Sequence, residues 1–392
     1  MKNRKVNTTN TPVYRDAGFY LKDAATTKDA FEKEKDHARS PSTYIYSRYR
    51  NPTVVAAEER IMDLEKCEWA LLTQSGMSAI DTALSIFQRG KDTGRWLFFS
   101  EIYGGTNSFI DNVLIERRGL DIHRFYSSDG VYDIAHLDTV LNDLRPGIIY
   151  LEIISNPMLI VADVDKIIEL AKNYGCVIII DNTFATPYLW NPLRNGADLV
   201  IHSATKYLAG HGNLTGGVVC GNDHDLEKAA IEYRKLIGHM LSPDDAYRLT
   251  TLLKSFEVRF IRHCENASRL AGIMENHPAI ESVLYPGLNS HPSHNIAKKY
   301  FGGKGYGAMI TFDVIGYNRP EKESNRDRFM ERVSEKIKLI PTLGDADTIL
   351  LPIEAVWGDK YPYPGMIRLS VGIENGNELE EVLIRALDEI MK

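Results

Sequence analysis

Between about residues 65 and 221 the chain alternates short apolar runs with stretches of helical spacing, and few folds accept that pattern. The segments 69–73, 96–100, 147–154, 177–181, 199–204 and 217–220 read as strands. Met77, Ile80, Leu84 and Phe87 recur at helical intervals, as do Ile167, Ile168 and Ala171 within 164–173. Strands such as Ile148-Ile149-Tyr150-Leu151 are apolar on both faces, so both faces must be covered. The pattern predicts an α/β fold with a mostly parallel central sheet between helical layers.

The pattern changes after residue 240. Ser242-Pro243-Asp244-Asp245 has the cap, proline and acids of a helix start. A long helix is expected from there roughly to His277, followed by strand-like runs at 308–314, 348–351 and 367–371 and a final helix over 378–391. The expected organisation is a polar N-terminal arm (1–50), a large domain (51–240) and a smaller C-terminal α+β domain (241–392). The arm, with Glu32-Lys33-Glu34-Lys35-Asp36, reads as an extended segment or short helix that cannot form a core alone, either disordered or, as expected here, contributing to a neighbouring subunit.

A net charge of −7 leaves no basic excess for general nucleic-acid affinity. The first twenty residues lack an apolar leader core, and no apolar stretch is long enough to span a bilayer. Cys67, Cys176, Cys220 and Cys264 are scattered, as expected of free thiols in a reducing, cytoplasmic setting. His291 and His294 have metal-like spacing but no third ligand nearby, and no metal is expected.

In a parallel sheet, ligands bind beyond the carboxyl ends of the strands. Ser75-Gly76-Met77-Ser78 joins a strand to a helix, and helix-start N–H groups suit an anion. Asp181 ends a buried strand, where a carboxylate needs a partner. In His202-Ser203-Ala204-Thr205-Lys206, two alternating hydroxyls share one side. Lys206 faces the other unless the strand has already ended. A desolvated lysine there can act as a nucleophile. Tyr103-Gly104-Gly105-Thr106 offers a stacking face, and Tyr46 with Arg48 suits phosphate recognition. Taken singly, these features also fit an ordinary turn, a helix cap, a lysine reaching solvent and a basic surface segment.

The ordered set YIYSRYRNPT, SGMSA, YGGT, LEIISNP, DNTFATP, HSATKYLAGH and IRLSVGIE resembles the Cys/Met-metabolism family of pyridoxal-phosphate (PLP) enzymes, from about residue 40 onward. The resemblance implies a fold-type-I PLP-dependent transferase architecture. It implies Lys206 as the residue carrying the cofactor covalently, Asp181 on its ring nitrogen and Tyr103 stacked on the ring as an acid–base group. Gly76, Met77, Ser203 and Thr205 would hold the phosphate, with Tyr46 and Arg48 reaching it from a neighbouring subunit. Asn156 would sit near the ring hydroxyl, while Arg368 and Thr342 would bind substrate. The implied assembly is a homotetramer of dimers with shared sites, acting on a small amino acid.

Departures fall in the substrate region. Pro352-Ile353-Glu354-Ala355-Val356-Trp357 stands where the family often has SMTH-like residues, and Pro341-Thr342 precedes Leu343-Gly344 in place of the usual pair. Methionine γ-lyases typically carry cysteine where this chain has Gly105, and the family's β-lyases often place tryptophan beside the glycine at 344. The expected activity is therefore trans-sulfuration chemistry at the γ-carbon of a sulfur amino acid or activated homoserine, as in cystathionine γ-lyase or γ-synthase. Cystathionine β-lyase and O-acylhomoserine sulfhydrylase activities are the alternatives within the family. A catalytically silent PLP-fold binding protein is the alternative outside it, and Lys206, Asp181 and Arg368 together argue against that.

Overall fold

The structure, a computed structural model, describes residues 8–88 and 94–392. Seven strands form the larger sheet: β1 (Trp69–Thr73), β2 (Arg95–Phe99), β3 (Asp121–Phe125), β4 (Ile148–Glu152), β5 (Val177–Asp181), β6 (Leu199–Ser203) and β7 (Gly217–Gly221). Their spatial order is β1-β7-β6-β5-β4-β2-β3. From β6 to β3 every pairing is parallel, while β7 runs antiparallel to both neighbours. The fold is the mostly parallel α/β sheet that the apolar runs predict. β4 is buried along its whole length, so each strand face needs a covering helix.

Parallel pairing brings the strand ends to one edge. Glu152 pairs with Asp181, and Asp181 with Ile201, so β4, β5 and β6 deliver Glu152, Asp181 and Ser203 side by side. The helix Gly76–Ser85 packs on β6 and β7 with its N-terminus at the same edge.

A second, smaller sheet has the order β10-β11-β12-β9-β8, from β8 (Ile280–Leu284), β9 (Met309–Val314), β10 (Lys338–Leu339), β11 (Ile349–Pro352) and β12 (Met366–Ser370). All its pairings are antiparallel except β10 with β11. The helices Phe256–Glu275, Arg319–Val333 and Gly376–Ile390 pack around it.

One expectation changes. The single long helix to His277 is two helices, Pro243–Leu253 and Phe256–Glu275, interrupted at Lys254-Ser255. Buried Arg259 occupies the break: its guanidinium donates to the Leu252 carbonyl at the first helix's end and to the carbonyls of Tyr207 and Leu208. The arm, of which residues 1–7 lie outside the described residues, contains the short helix Ala24–Glu34 and makes contacts within its own chain. The Thr53 hydroxyl donates to the Pro12 carbonyl and accepts the Tyr14 N–H, and Arg15 pairs with Asp244 at 2.7 Å. No helix among the described residues is long and apolar enough to cross a membrane.

Candidate active site

A cavity of about 230 Å³ opens at the carboxyl edge of the larger sheet, walled on one side by the smaller sheet. Gly76, Met77, Tyr103, Asn156, Asp181, Ser203, Thr205, Lys206, Thr342 and Arg368 all line it, although they span nearly three hundred positions of sequence.

Lys206 lies in the turn just past β6. The strand ends at Ser203, so the alternation that would have sent Lys206 to the opposite side stops before it. Arg259 holds the carbonyls of the next two residues from behind, and Gly344 closes over the turn. Gly344 has φ +75°, and a Cβ there would fall 2.7 Å from the Tyr207 nitrogen, so both conformation and space require glycine. Lys206 Nζ donates to Thr342 Oγ1 at 2.9 Å. Burial, followed by the positive field of Arg368, pulls its amine down to about 8. Near neutrality a useful fraction is therefore the free base.

Asp181 is 9% exposed. Its Oδ1 accepts the Thr183 N–H at 2.9 Å, and its Oδ2 receives a long bond of 3.4 Å from the Tyr150 hydroxyl. Both donors are neutral. Burial raises its pKa, partly offset by Thr183 and by His202, which lies behind it with Glu65 at 3.1 Å. Glu152, its register neighbour, is raised much further, by burial and then by Asp181 itself. Burial thus pushes both carboxyls toward the neutral form, Glu152 more strongly than Asp181. Glu152 Oε1 accepts the Tyr103 N–H at 2.6 Å and so fixes the start of the helix Gly104–Phe109. The signal that singles out Asp181, an acid ending an apolar strand, was equally present at Glu152. Arg259 carried no such signal, since its role depends on the turn it supports.

Ser75 caps the helix Gly76–Ser85 by accepting the Ser78 N–H, leaving the N–H groups of Gly76 and Met77 at the cavity. That arrangement suits an anion. Ser203 Oγ lies 3.1 Å from where a Gly76 Cβ would stand, so glycine keeps the cradle open. Thr205 Oγ1 is engaged with the backbone of Gly216, at 3.0 Å from its nitrogen.

Arg368 in β12 is 4% exposed. It donates to Asn156 Oδ1 and to the Thr342 carbonyl, each at 2.9 Å, while Nε is buried without a partner. A buried guanidinium that lines a cavity suits a carboxylate. Asn156 thus orients Arg368, and Thr342 presents its hydroxyl to Lys206 and its carbonyl to Arg368. Tyr46 and Arg48 are exposed and do not line this cavity. Arg48 stacks on the rings of Tyr46 and Tyr49 and donates to the Lys235 carbonyl at 2.5 Å. Tyr103 is 47% exposed, so one wall of the site stands open in the isolated chain. His291 Nδ1 lies 3.2 Å from the Ser293 nitrogen and His294 Nδ1 3.1 Å from the Pro286 carbonyl oxygen, and no group of described side chains is placed to hold a metal ion.

The sequence model of the family described as Cys/Met metabolism PLP-dependent enzyme matches residues 1–388. An L-methionine gamma-lyase from Fusobacterium nucleatum is 33% identical, covering 97% of this chain and 93% of its own. A cystathionine beta-lyase from Lactococcus lactis is 34% identical over 89% and 90%. The crystal structure of a cystathionine gamma synthase from Xanthomonas oryzae superposes with a TM-score of 0.85 at 26% identity, covering 97% of this chain and 93% of that one.

Proposed function

The chain belongs to the Cys/Met metabolism PLP-dependent enzymes, and on that premise we propose that it acts at the γ-carbon of a thioether amino acid such as cystathionine, or of an activated homoserine. The residues present fit the cofactor. A cradle of helix N–H groups and the Ser203 hydroxyl suits its phosphate. Asp181, a buried carboxyl with no cationic hydrogen-bond partner among the described residues, suits its ring nitrogen, and Lys206 suits its aldehyde. When bound, PLP supplies an electron sink for carbanions at the substrate.

The protein's own groups do the rest. Arg368 takes the α-carboxylate. Lys206, once free, removes the Cα proton with its amine. Loss of a γ-substituent needs a second abstraction, at Cβ, so the base must reach both carbons. The observation that carries the γ reading is the contact of Lys206 Nζ with Thr342 Oγ1. In place of the bulky ring that β-lyases often have beside the glycine, Thr342-Leu343-Gly344 leaves the lysine a hydroxyl to lean on as it moves. Tyr103 stands ready to return a proton to the departing group. Gly105 supports cystathionine over methionine: the Tyr103 ring lies 2.4 Å from where a Gly105 Cβ would stand, so a cysteine there would displace it.

With L-cystathionine, the holoenzyme is expected to release cysteine and 2-oxobutyrate. Homocysteine and pyruvate would overturn the γ reading in favour of β-elimination, for which a single abstraction by the same lysine suffices. If neither pair forms, O-acetyl- or O-succinyl-homoserine with cysteine or sulfide tests γ-replacement.

The open wall at Tyr103 and the exposed Tyr46 and Arg48 support a site completed by a second copy, within a cytoplasmic homotetramer built from dimers. Inactive Arg48→Ala and Lys206→Ala chains, once mixed and reassembled, should then regain up to roughly a quarter of wild-type activity, since half of random dimers hold one intact site of two. A monomer by light scattering, or no recovery in verified hybrids, would exclude a shared site.

A further inference from the structure

The segment 353–361, which includes most of the departure at Pro352 to Trp357, is pinned at both ends. Glu354 forms a two-pronged pair with Arg319 at 2.6 and 2.8 Å, on the helix Arg319–Val333. At the other end Lys360 donates to the Ser100 carbonyl at 2.8 Å, and the Tyr361 hydroxyl donates to Glu101. Ser100 and Glu101 belong to the loop between β2 and Tyr103, so the smaller sheet's connection is fastened to the loop that carries the stacking tyrosine.

Trp357 lies between these anchors. It packs on Ile353, Tyr361 and Met366 and meets the Tyr361 ring edge-on at 6.4 Å. The Arg368 guanidinium carbon stands 5.5 Å from the centre of its ring. Its Nε1 edge reaches within 3.3 Å of where a Gly104 Cβ would be, so the indole bridges Arg368 and the start of the Tyr103 helix.

We propose that Trp357 is a positioning and specificity residue: its ring holds the Arg368 guanidinium toward the substrate carboxylate, and its edge against Gly104 walls one side of the cavity mouth. A guanidinium tied at two N–H groups still rocks about its Cδ–Nε axis, and an aromatic face over its plane removes that freedom. The wall leaves less width beside the anchored carboxylate, so unbranched side chains are favoured over branched ones. The proposal rests on the reading of Arg368 as the carboxylate anchor.

The test uses the holoenzyme and unreactive amino acids, with binding read from the visible absorbance of the bound cofactor. Glycine probes the anchor alone, and L-norleucine against L-leucine probes the wall. Trp357→Ala and Trp357→Leu should each weaken glycine about tenfold, while Trp357→Phe stays within about threefold. Leucine fills space without a π face, so a purely packing role would be retained in Trp357→Leu. The wild type should prefer norleucine to leucine, and Trp357→Ala should shrink that preference at least roughly threefold. Unchanged glycine affinity in both Ala and Leu variants overturns the positioning role, and an unchanged norleucine-to-leucine ratio overturns the wall. Arg368→Lys separates the two layers: if it binds glycine as the wild type does, the anchor reading itself fails. If only Arg368→Lys weakens binding, the anchor stands and the Trp357 proposal falls.

Discussion

Lys206→Ala is expected to lower turnover by roughly 10³-fold or more while the protein still collects PLP at its phosphate cradle. Lys206 carries two duties in the proposed site, attachment of the cofactor and proton transfer, and among the described residues no other amine lines the cavity to replace it. The phosphate contacts come from other residues, so some cofactor affinity should survive. In the wild type, borohydride should fix PLP to the peptide containing Lys206, and a fixed adduct on another lysine would refute the assignment.

The same lysine has a pH signature in the cofactor-free protein. Its folded value of about 8 lies below the ordinary 10.5, chiefly through burial and then through Arg368. Between those values the unfolded chain holds a proton that the folded chain has released, so stability rises with pH across the window. Below about pH 8 the buried ammonium costs the fold up to about 3 kcal/mol. Lys206→Met should therefore be more stable than the cofactor-free wild type at pH 7, with the gap closing toward pH 10.5. Urea unfolding at several pH values measures this, and a gap independent of pH would show that Lys206 is not desolvated.

Strand ends were legible because a parallel sheet buried on both faces writes them as apolar runs stopped by a polar residue. Asp181, Ser203 and the Ser75-Gly76 turn follow from that rule alone. Edge strands obey it poorly: β3 (Asp-Ile-His-Arg-Phe) and β8 (Ile-Glu-Ser-Val-Leu) are partly exposed, and nothing in their composition separates them from loops. The break at Lys254-Ser255 was hidden for a different reason. Both flanking segments have good helical spacing, and the interruption is held by Arg259, whose partners Tyr207 and Leu208 lie some fifty residues earlier. The roles of Thr342 and Asn156 likewise needed the second sheet brought against the first. Sequence reading placed both at the site, but only the fold shows Thr342 on the lysine and Asn156 on Arg368.

Asp181→Asn should cost at least roughly 10²-fold in turnover and weaken PLP binding, yet stabilise the cofactor-free protein. A buried carboxylate with only neutral donors is an incomplete pair, and the ring nitrogen of the cofactor is the cation that would complete it. Asparagine keeps the shape and the Thr183 bond but cannot hold that nitrogen protonated, so electron withdrawal from the substrate would weaken. The stability effect follows from the same burial. The folded pKa of Asp181 is raised above its unfolded value, so its penalty is absent in acid, grows as pH rises from the unfolded value toward the folded pKa and persists above it. The asparagine variant should therefore outlast the cofactor-free wild type at pH 7 and lose that advantage as the pH falls below the usual aspartate value of 3.8. Unfolding of both proteins at acid and neutral pH, alongside PLP titration, checks the two halves separately. Full turnover with unchanged PLP affinity would remove Asp181 from the ring nitrogen. A stability gain that persists in acid would instead locate the effect in packing, leaving no buried charge for the cofactor to satisfy.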